Sequence, residues 1–340
     1  MKKHLFPLLS ALLWTASTIS VLAQGKIAVQ SGSNVTFFDQ NNLQAALDAA
    51  QNGDVIHLPG GTFSGNITLD RSVQLIGAGY FPDSSAATTP TTLTGTFYIT
   101  ANVSNSYITG INFAGNVIAP VGTNPVITNL VVHRCQLQSA FGSNGTWSFS
   151  NNSSGIILAE CVLASVYFNG ALNCHIRNCI VSAGVSEGRN ASIQNCIFLS
   201  TSISNCANCT VQGCIFYYSA LLMSGTSTSY LTASRNCFVD ADPNFTYVSA
   251  HNNVVGAVAA DLFESYVPSF DYTDDFHLAD NSPAIGAGPA GNDCGVYGGP
   301  SPWKEGGVPY NPHIQEQFIG TATNVQGELP VQIKVAAQGN

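Results

Sequence analysis

Six short segments of this chain repeat one pattern, each centred on a cysteine. A large apolar residue follows the cysteine by two positions, and in five segments another precedes it by three. The segments recur every 17 to 26 residues. The central cysteines are Cys135, Cys161, Cys179, Cys196, Cys214 and Cys237. Such a repeat predicts stacked units, because one unit is too short to bury an apolar face by itself.

The residues between the cysteines indicate short strands. β-Branched and aromatic residues alternate with Ser, Thr, Asn and Gly, and no long segment has helical spacing. Asn or Gly directly precedes the cysteine in four segments, at Asn178, Asn195, Gly213 and Asn236. Both residue types tolerate a left-handed backbone, so a sharp bend recurs there. We therefore predict an all-β parallel β-helix whose coils lie about 4.8 Å apart.

Two flanking segments extend this interpretation to a known family. In residues 43–79 (LQAALDAAQNGDVIHLPGGTFSGNITLDRSVQLIGAG) a short apolar-striped helix precedes a first strand and turn. Residues 275–299 begin DFHLADNSPAIGAG and end DCGVYGG. With the repeat, they resemble a right-handed parallel β-helix of the pectin-lyase-like superfamily, secreted bacterial type. The resemblance spans roughly residues 35–315 and implies an N-terminal capping helix at 42–52, with Asn41 or Asn42 as N-cap, and a closing coil at 275–299.

The two ends of the chain differ from the repeats. Lys2, Lys3 and His4 precede a short apolar run that ends in Val21-Leu22-Ala23, which predicts a signal peptide at residues 1–23 cleaved near Ala23. We therefore expect a secreted, extracellular or periplasmic protein without a membrane span. One β-helix domain at 24–308 and a strand-rich tail at 309–340 would follow.

The composition excludes some partners. Without Lys2 and Lys3, eight basic residues stand against nineteen acidic ones, and only 9% of the whole chain is charged. Nucleic acids and anionic membranes require clustered cations, so we expect neither as a partner. The same acidic balance disfavours a polyuronate substrate.

Ten cysteines in an exported chain would ordinarily suggest disulfides. Six of them share one repeat position, however, and Cys174 and Cys209 share another. Free cysteine packs as a small hydrophobe, so we favour a buried structural Cys ladder made of the six repeat cysteines, with disulfides as the alternative. Cys206 and Cys209 form a CxxC pair without a second pair, which disfavours a zinc site.

The position two residues before each repeat cysteine is predicted to face outwards. It is occupied by His133, Ala159, Arg177, Gln194, Gln212 and Arg235. Arg177, Gln194 and Gln212 would lie on three successive coils and contact sugar hydroxyls, although solvent-facing strands also carry such residues without any ligand. With Arg235 and Tyr217, they are the candidate binding residues. No catalytic residue and no metal ligand is assigned.

The resemblance implies two kinds of catalytic apparatus. Lyases of the family use a cationic or Tyr base beside Ca²⁺ or a cation, and hydrolases use paired carboxylates. Asp271, Asp274, Asp275 and Asp280 form the densest acidic group, but companion motifs are missing, so we interpret it as structural, with Ca²⁺ binding as a minor alternative. Glu160 and Glu187 are isolated in sequence.

These observations favour an exported β-helix protein that binds a polysaccharide or cell-surface glycan, or serves structurally at the cell exterior, without a cofactor. Two alternatives remain open. One is a polysaccharide lyase or glycoside hydrolase whose site is assembled from distant coils, and the other is a self-associating adhesin.

Overall fold

The computed structural model of the chain describes residues 25–85, 87–120, 123–142, 149–200, 202–218, 220–265, 270–310, 312–320 and 322–337. The predicted signal peptide and its cleavage site lie outside these residues. The described part is mostly β-structure and contains a parallel β-solenoid of about 9 turns. The predicted solenoid architecture is therefore confirmed.

The described residues form a first sheet of twelve strands along one face of the solenoid. In spatial order its strands are β2 (Asn34–Asp39), β1 (Lys26–Ser31), β3 (Val55–His57), β6 (Gln74–Ile76), β9 (Tyr107–Thr109), β12 (Val131–His133), β14 (Ile157–Ala159), β16 (His175–Arg177), β18 (Ser192–Gln194), β21 (Thr210–Gln212), β24 (Leu231–Ser234) and β27 (Val248–His251). From β3 onwards every pairing is parallel, whereas β1 pairs antiparallel with both β2 and β3.

A second sheet supplies the other two faces. One face contains β4 (Gly61–Phe63), β7 (Thr91–Leu93), β10 (Asn112–Phe113), β13 (Gln136–Gly142), β15 (Val162–Tyr167), β17 (Ile180–Ser186), β19 (Ile197–Phe198), β22 (Ile215–Phe216) and β25 (Cys237–Phe238). The other contains β5 (Ile67–Leu69), β8 (Phe97–Ile99), β11 (Val117–Ile118), β20 (Ile203–Ser204), β23 (Leu222–Ser224) and β26 (Asn244–Thr246). The long strands β13, β15 and β17 pass from one face to the other.

The remaining elements are not strands of these two sheets. They are helix α1 (Leu43–Ala49), the antiparallel pairs β28 (Phe263–Ser265) with β29 (Asp275–Leu278) and β30 (His313–Ile319) with β31 (Val331–Ala336), and 3₁₀ turns at Gln40–Asn42, Ala101–Val103, Ala259–Asp261 and Pro289–Gly291.

The N-terminal end is closed by α1, which buries Leu43, Ala46 and Leu47 against the first coils. The helix is shorter than the predicted 42–52, because the backbone is already extended at Ala50. Asn42 makes no side-chain capping bond, so the predicted N-cap interaction does not form there. The 3₁₀ turn in front of α1 provides the entry instead.

The interior consists of columns of identical positions. Val132, Leu158, Ile176, Ile193 and Val211 pair one above the next along the first sheet. On the adjacent face Phe198, Phe216 and Phe238 stack with ring centroids 4.7 Å apart. Each side chain therefore packs on its own equivalent in the next coil, which keeps the coils in register.

Five of the repeat cysteines form the predicted file. The backbone N–H groups of Cys135, Cys161 and Cys196 lie 3.5, 3.4 and 3.4 Å from the sulfurs of Cys161, Cys179 and Cys214 respectively. All ten cysteines are buried and free. Burial raises the pKa of Cys135 well above its ordinary value, which keeps that thiol protonated.

The prediction that Cys237 belongs to this file is wrong. Val211 pairs with Ala233 and Ile215 pairs with Cys237, so the ladder position of that coil is taken by Asn236. Asn236 accepts a hydrogen bond from the Cys214 N–H at 2.9 Å and donates one to the Val211 carbonyl at 3.0 Å. An amide that bonds to the preceding coil in both directions substitutes for the thiol, and Cys237 points to the outer side.

Corners recur directly before the ladder position. Arg134, Glu160, Asn178, Asn195 and Arg235 all have φ between 49° and 54° there, and Gly213 has φ 65°. Asn and Gly adopt this left-handed conformation at little cost, whereas Arg and Glu are strained in it. The bend predicted from Asn and Gly is present at Asn178, Asn195 and Gly213. The bend predicted at Asn236 is wrong, because the corner of that coil is Arg235, and bends also occur at Arg134 and Glu160.

Residues 294–310, the C-terminal strap, run back along this row of corners. The strap bonds in turn to the corners at Gly213 (Gly295 N–H to its carbonyl, 2.8 Å), Asn178 (its amide to the Val296 carbonyl, 2.8 Å) and Arg134 (its guanidinium to the Val308 carbonyl, 2.7 Å). The fit is tight, since a Cβ on Gly299 would lie 1.9 Å from the Asn195 amide nitrogen.

Residues 275–299, predicted to be a closing coil, therefore lie along the outside of the solenoid. Strand β29 pairs with β28, and neither belongs to the two sheets of the solenoid. Both cover an apolar column on the outer side of the second sheet, together with Val296 and Trp303 of the strap. The column consists of Val162, Ile180, Ile197, Ile215 and Cys237.

We expect Phe216→Ala to lower the free energy of unfolding by about 3–5 kcal/mol, because it removes the central ring of the interior stack and leaves a cavity. Chemical denaturation followed by circular dichroism measures this. Phe318→Ala is the matched control: Phe318 is 57% exposed, and its loss should cost less than about 0.5 kcal/mol. Equal losses for both variants would contradict the stacked interior.

Candidate functional site

The outward file predicted from the sequence is largely continuous in the structure. His133, Ala159, Arg177, Gln194 and Gln212 pair in register along the first sheet. The next two positions are Ser234 and His251. Arg235 is an exposed corner residue, so its assignment to the outward file is wrong for the same reason as that of Cys237: the last unit is displaced by one residue.

The C-terminal part of the chain covers the first half of this sheet face. Thr109, His133 and Ala159 are 1%, 8% and 2% exposed. The Tyr310 ring lies 5.3 Å from the His133 ring, and Pro309 lies against Gly110. From β16 onwards the outward side chains are half-buried or exposed. The column of outward positions that contains His133 is thus covered from Thr109 to Ala159 and open on the last five strands.

These five strands present a regular array, which we call the open strip. Each strand contributes two outward positions. The corner residue that lies two positions before the first of them, at the start of the strand, contributes a third. The rows are Asn173, His175 and Arg177; Asn190, Ser192 and Gln194; Asn208, Thr210 and Gln212; Tyr230, Thr232 and Ser234; and Tyr247, Ser249 and His251. All fifteen side chains are half-buried or exposed.

The open strip is chemically a surface of hydrogen-bonding groups. Gln212 donates to the Ser234 hydroxyl at 3.0 Å, and the Ser249 hydroxyl lies 2.7 Å from His251 Nε2. Equivalent side chains of adjacent strands are about 4.8 Å apart, because that is the strand spacing. Amides and hydroxyls can both donate and accept, so the strip can bind a ligand that carries many hydroxyl groups.

Tyr217 is separate from the open strip. Its ring stacks on Phe263 at 6.0 Å within the outer apolar cluster on the second sheet. Of the five candidate binding residues, Arg177, Gln194 and Gln212 therefore lie in the open strip. Arg235 lies at the corner next to Ser234, and Tyr217 lies on another face.

A buried polar cluster lies at the boundary between the covered half of the first sheet and the open strip. The two Glu160 oxygens receive hydrogen bonds from Arg134 (2.9 Å) and Tyr310 (3.2 Å) and contact His133 Nε2 (3.0 Å). His133 Nδ1 lies 2.7 Å from the Tyr107 hydroxyl. The Arg134 guanidinium stacks over the Tyr310 ring at 4.2 Å. The cluster joins two corners to the end of the strap.

Sequence reasoning missed this cluster because Glu160 has few charged neighbours along the chain. The available signal was positional: Arg134 and Glu160 stand where other units have Asn or Gly. At these two strained corners the charged side chains have partners in the strap, whereas Arg235, at the equivalent corner of a later coil, is exposed.

The electrostatics of the cluster favour a structural role. We call Glu160 with its partners His133, Arg134 and Tyr310 the Glu160 clamp, because these contacts fix the end of the strap. Burial by itself raises the pKa of Glu160, but the hydrogen bond from His133 and the charge of Arg134 outweigh burial and lower that pKa to about 2. Such a carboxylate is a weak base, and both of its oxygens are already engaged. Burial also raises the pKa of Tyr107 to about 12, so that phenol stays protonated at neutral pH.

The acidic group at 271–280 is engaged in local turns. Asp271 accepts hydrogen bonds from the Thr273 N–H and hydroxyl, at 2.9 and 2.7 Å, and these bonds lower its pKa. Asp275 bonds to the backbone and ring of His277. Among the described residues, no cluster of three or more His, Cys, Asp or Glu side chains has the arrangement of a metal site.

Comparison with models of known protein families and with curated proteins finds no match. The resemblance to the pectin-lyase-like superfamily thus rests on the fold and on the motifs quoted above. In the described part of the chain, no helix has the length and apolarity needed to cross a membrane.

We expect the Glu160 clamp to stabilise the protein above about pH 4.5, the ordinary pKa of a Glu side chain, and to lose this contribution as the pH falls towards 2. The sign follows because the folded-state pKa is depressed, so protonation favours the unfolded chain. Glu160→Gln should be destabilised by about 3 kcal/mol near pH 7 and should lose less stability on acidification. Denaturant titrations between pH 7 and pH 3 measure both effects.

Glu187→Gln is the matched control, since Glu187 also has a positive φ of 60° but is exposed. It should leave the stability–pH profile of the native protein unchanged. A Glu160→Gln profile parallel to that of the native protein would show that Glu160 does not act as a clamp.

Proposed function

We propose that the protein is exported and binds a neutral polysaccharide along the open strip, at the cell exterior. The observation that carries this is the array of five rows of amide, hydroxyl and imidazole side chains on one uncovered sheet face. A polymer laid across parallel strands would meet the same kind of contact at each row. We assign the coil, with right-handed winding, to the pectin-lyase-like superfamily as part of this proposal.

Charge supports a neutral ligand. Within the open strip Arg177 is the one permanently charged side chain, and the whole chain has a formal net charge of −9. A polyuronate would need several cations along its path to offset repulsion from this surface. Neutral glucans and mannans need only donors and acceptors, which the strip provides.

The clamp supports binding rather than hydrolysis or elimination as the role of this face. Glu160 and Arg134 would otherwise be a plausible acid–base and cation pair, but both are buried beneath the strap. Their hydrogen bonds go to His133, Tyr310 and the strap backbone. The strip itself contains no Asp or Glu.

The test is binding of the purified protein to a panel of soluble polysaccharides, measured by affinity gel electrophoresis and isothermal titration calorimetry. The panel contains mixed-linkage glucan, xyloglucan, galactomannan and polygalacturonate. We expect retention by at least one neutral polymer and none by polygalacturonate. Gln194→Ala and Gln212→Ala should each weaken binding by roughly 2- to 10-fold, the usual effect of losing one hydrogen-bonding side chain.

Gln30→Ala is the matched control, because Gln30 is an exposed strand residue at the far end of the same sheet. It should leave the affinity unchanged. Failure of every polymer to bind, or equal losses for all three variants, would contradict the proposal. Release of reducing ends or unsaturated uronates during the same incubations would favour an enzyme instead.

A further inference from the structure

Two tyrosines end the corner column of the open strip. Tyr230 and Tyr247 directly precede Leu231 and Val248, which pair with each other, so the two rings lie on adjacent coils. They are 57% and 43% exposed. Their centroids are 5.9 Å apart and their planes are nearly perpendicular, at 86°. Together the two perpendicular rings form an exposed aromatic surface at the C-terminal end of the strip.

The identity of Tyr247 is not explained by the needs of the corner. The three preceding coils use Asn173, Asn190 and Asn208 at this position, with φ between 52° and 53°. Asn adopts this left-handed backbone at low cost, whereas Tyr247 holds φ 55° with a bulky side chain. The fold would be served better by Asn. Strain that persists at an exposed residue points to a use for its side chain.

The neighbours of the rings indicate what that use is. Thr232 and Ser234 continue the row of Tyr230, and Ser249 and His251 continue the row of Tyr247. A flat apolar surface beside hydroxyl and imidazole groups matches a pyranose, which has an apolar C–H face and a rim of hydroxyls. One perpendicular ring can lie under the sugar while the other bounds its edge.

We propose that Tyr230 and Tyr247 form an aromatic subsite that stacks on a pyranose with equatorial hydroxyls, as in a β-linked glucan, at one end of the bound polysaccharide. This inference rests on the proposed function, and it specifies its ligand class. Equatorial hydroxyls leave the C–H face flat, whereas an axial hydroxyl, as in galactose, projects from one face and hinders stacking on it. The site spans two coils, so it accepts one or two sugar units.

The decisive variant is Tyr247→Asn, which removes the ring and supplies the residue that earlier coils use. We expect the affinity for cellotetraose to fall by about tenfold while the melting temperature stays the same or rises. Tyr230→Ala should weaken binding similarly, and Tyr247→Phe should retain it, since the ring face is kept. β-1,4-Galactotetraose should bind more weakly than cellotetraose to the native protein. Calorimetry and saturation-transfer NMR measure the binding.

Tyr218→Ala is the matched control, because Tyr218 is also 43% exposed but lies outside the strip. It should bind as the native protein does. Unchanged binding by Tyr247→Asn, alongside losses for the Gln194 and Gln212 variants, would overturn the subsite and leave the proposed function standing. A lower melting temperature for Tyr247→Asn would show that the ring stabilises the fold by packing. This result would also contradict the inference. Absence of any neutral-glycan binding by the native protein would overturn both proposals.

Discussion

The parallel pairing of successive coils requires every coil to turn at the same place. Corners with φ near 50° recur in register at Glu160, Asn178 and Asn195, and the hydrogen bonds along the axis hold only while those corners coincide. Coincident corners in turn stack the interior side chains on their equivalents and align the outward ones in columns. The thiol ladder, the phenylalanine stack and the open strip are consequences of this one constraint.

The corners also determine which part of the outer surface is free. The strap bonds to them in reverse order, from Gly213 to Arg134, and ends over His133. Where Arg134 and Glu160 replace Asn or Gly, their charged side chains fix the end of the strap. The residues that bend the chain thus also hold the segment that covers half of the first sheet, and the ligand-binding proposal applies only to the other half.

The repeat predicted the solenoid because period and apolar spacing are local properties of the chain. A register based on the cysteines misplaces Cys237, whereas aligning VQGCIF with ASRNCF by their apolar residues puts Asn236 in the ladder. The strap and the clamp were not predictable from pattern, because their contacts join residues 118 and 174 positions apart. The strip was partly predicted, through Arg177, Gln194 and Gln212, but its covered half and its tyrosines follow only from the three-dimensional register.

Four histidines report directly on which half of the sheet face is covered. His175 and His251 are exposed on the open strip, whereas His133 lies under Tyr310 in the same column as His251. Diethyl pyrocarbonate modifies accessible imidazoles, and peptide mass spectrometry gives the rate at each histidine. We predict rapid modification of His175 and His251 and strong protection of His133, with His57 between them. Modification of His133 as fast as that of His175 would contradict both the register and the strap.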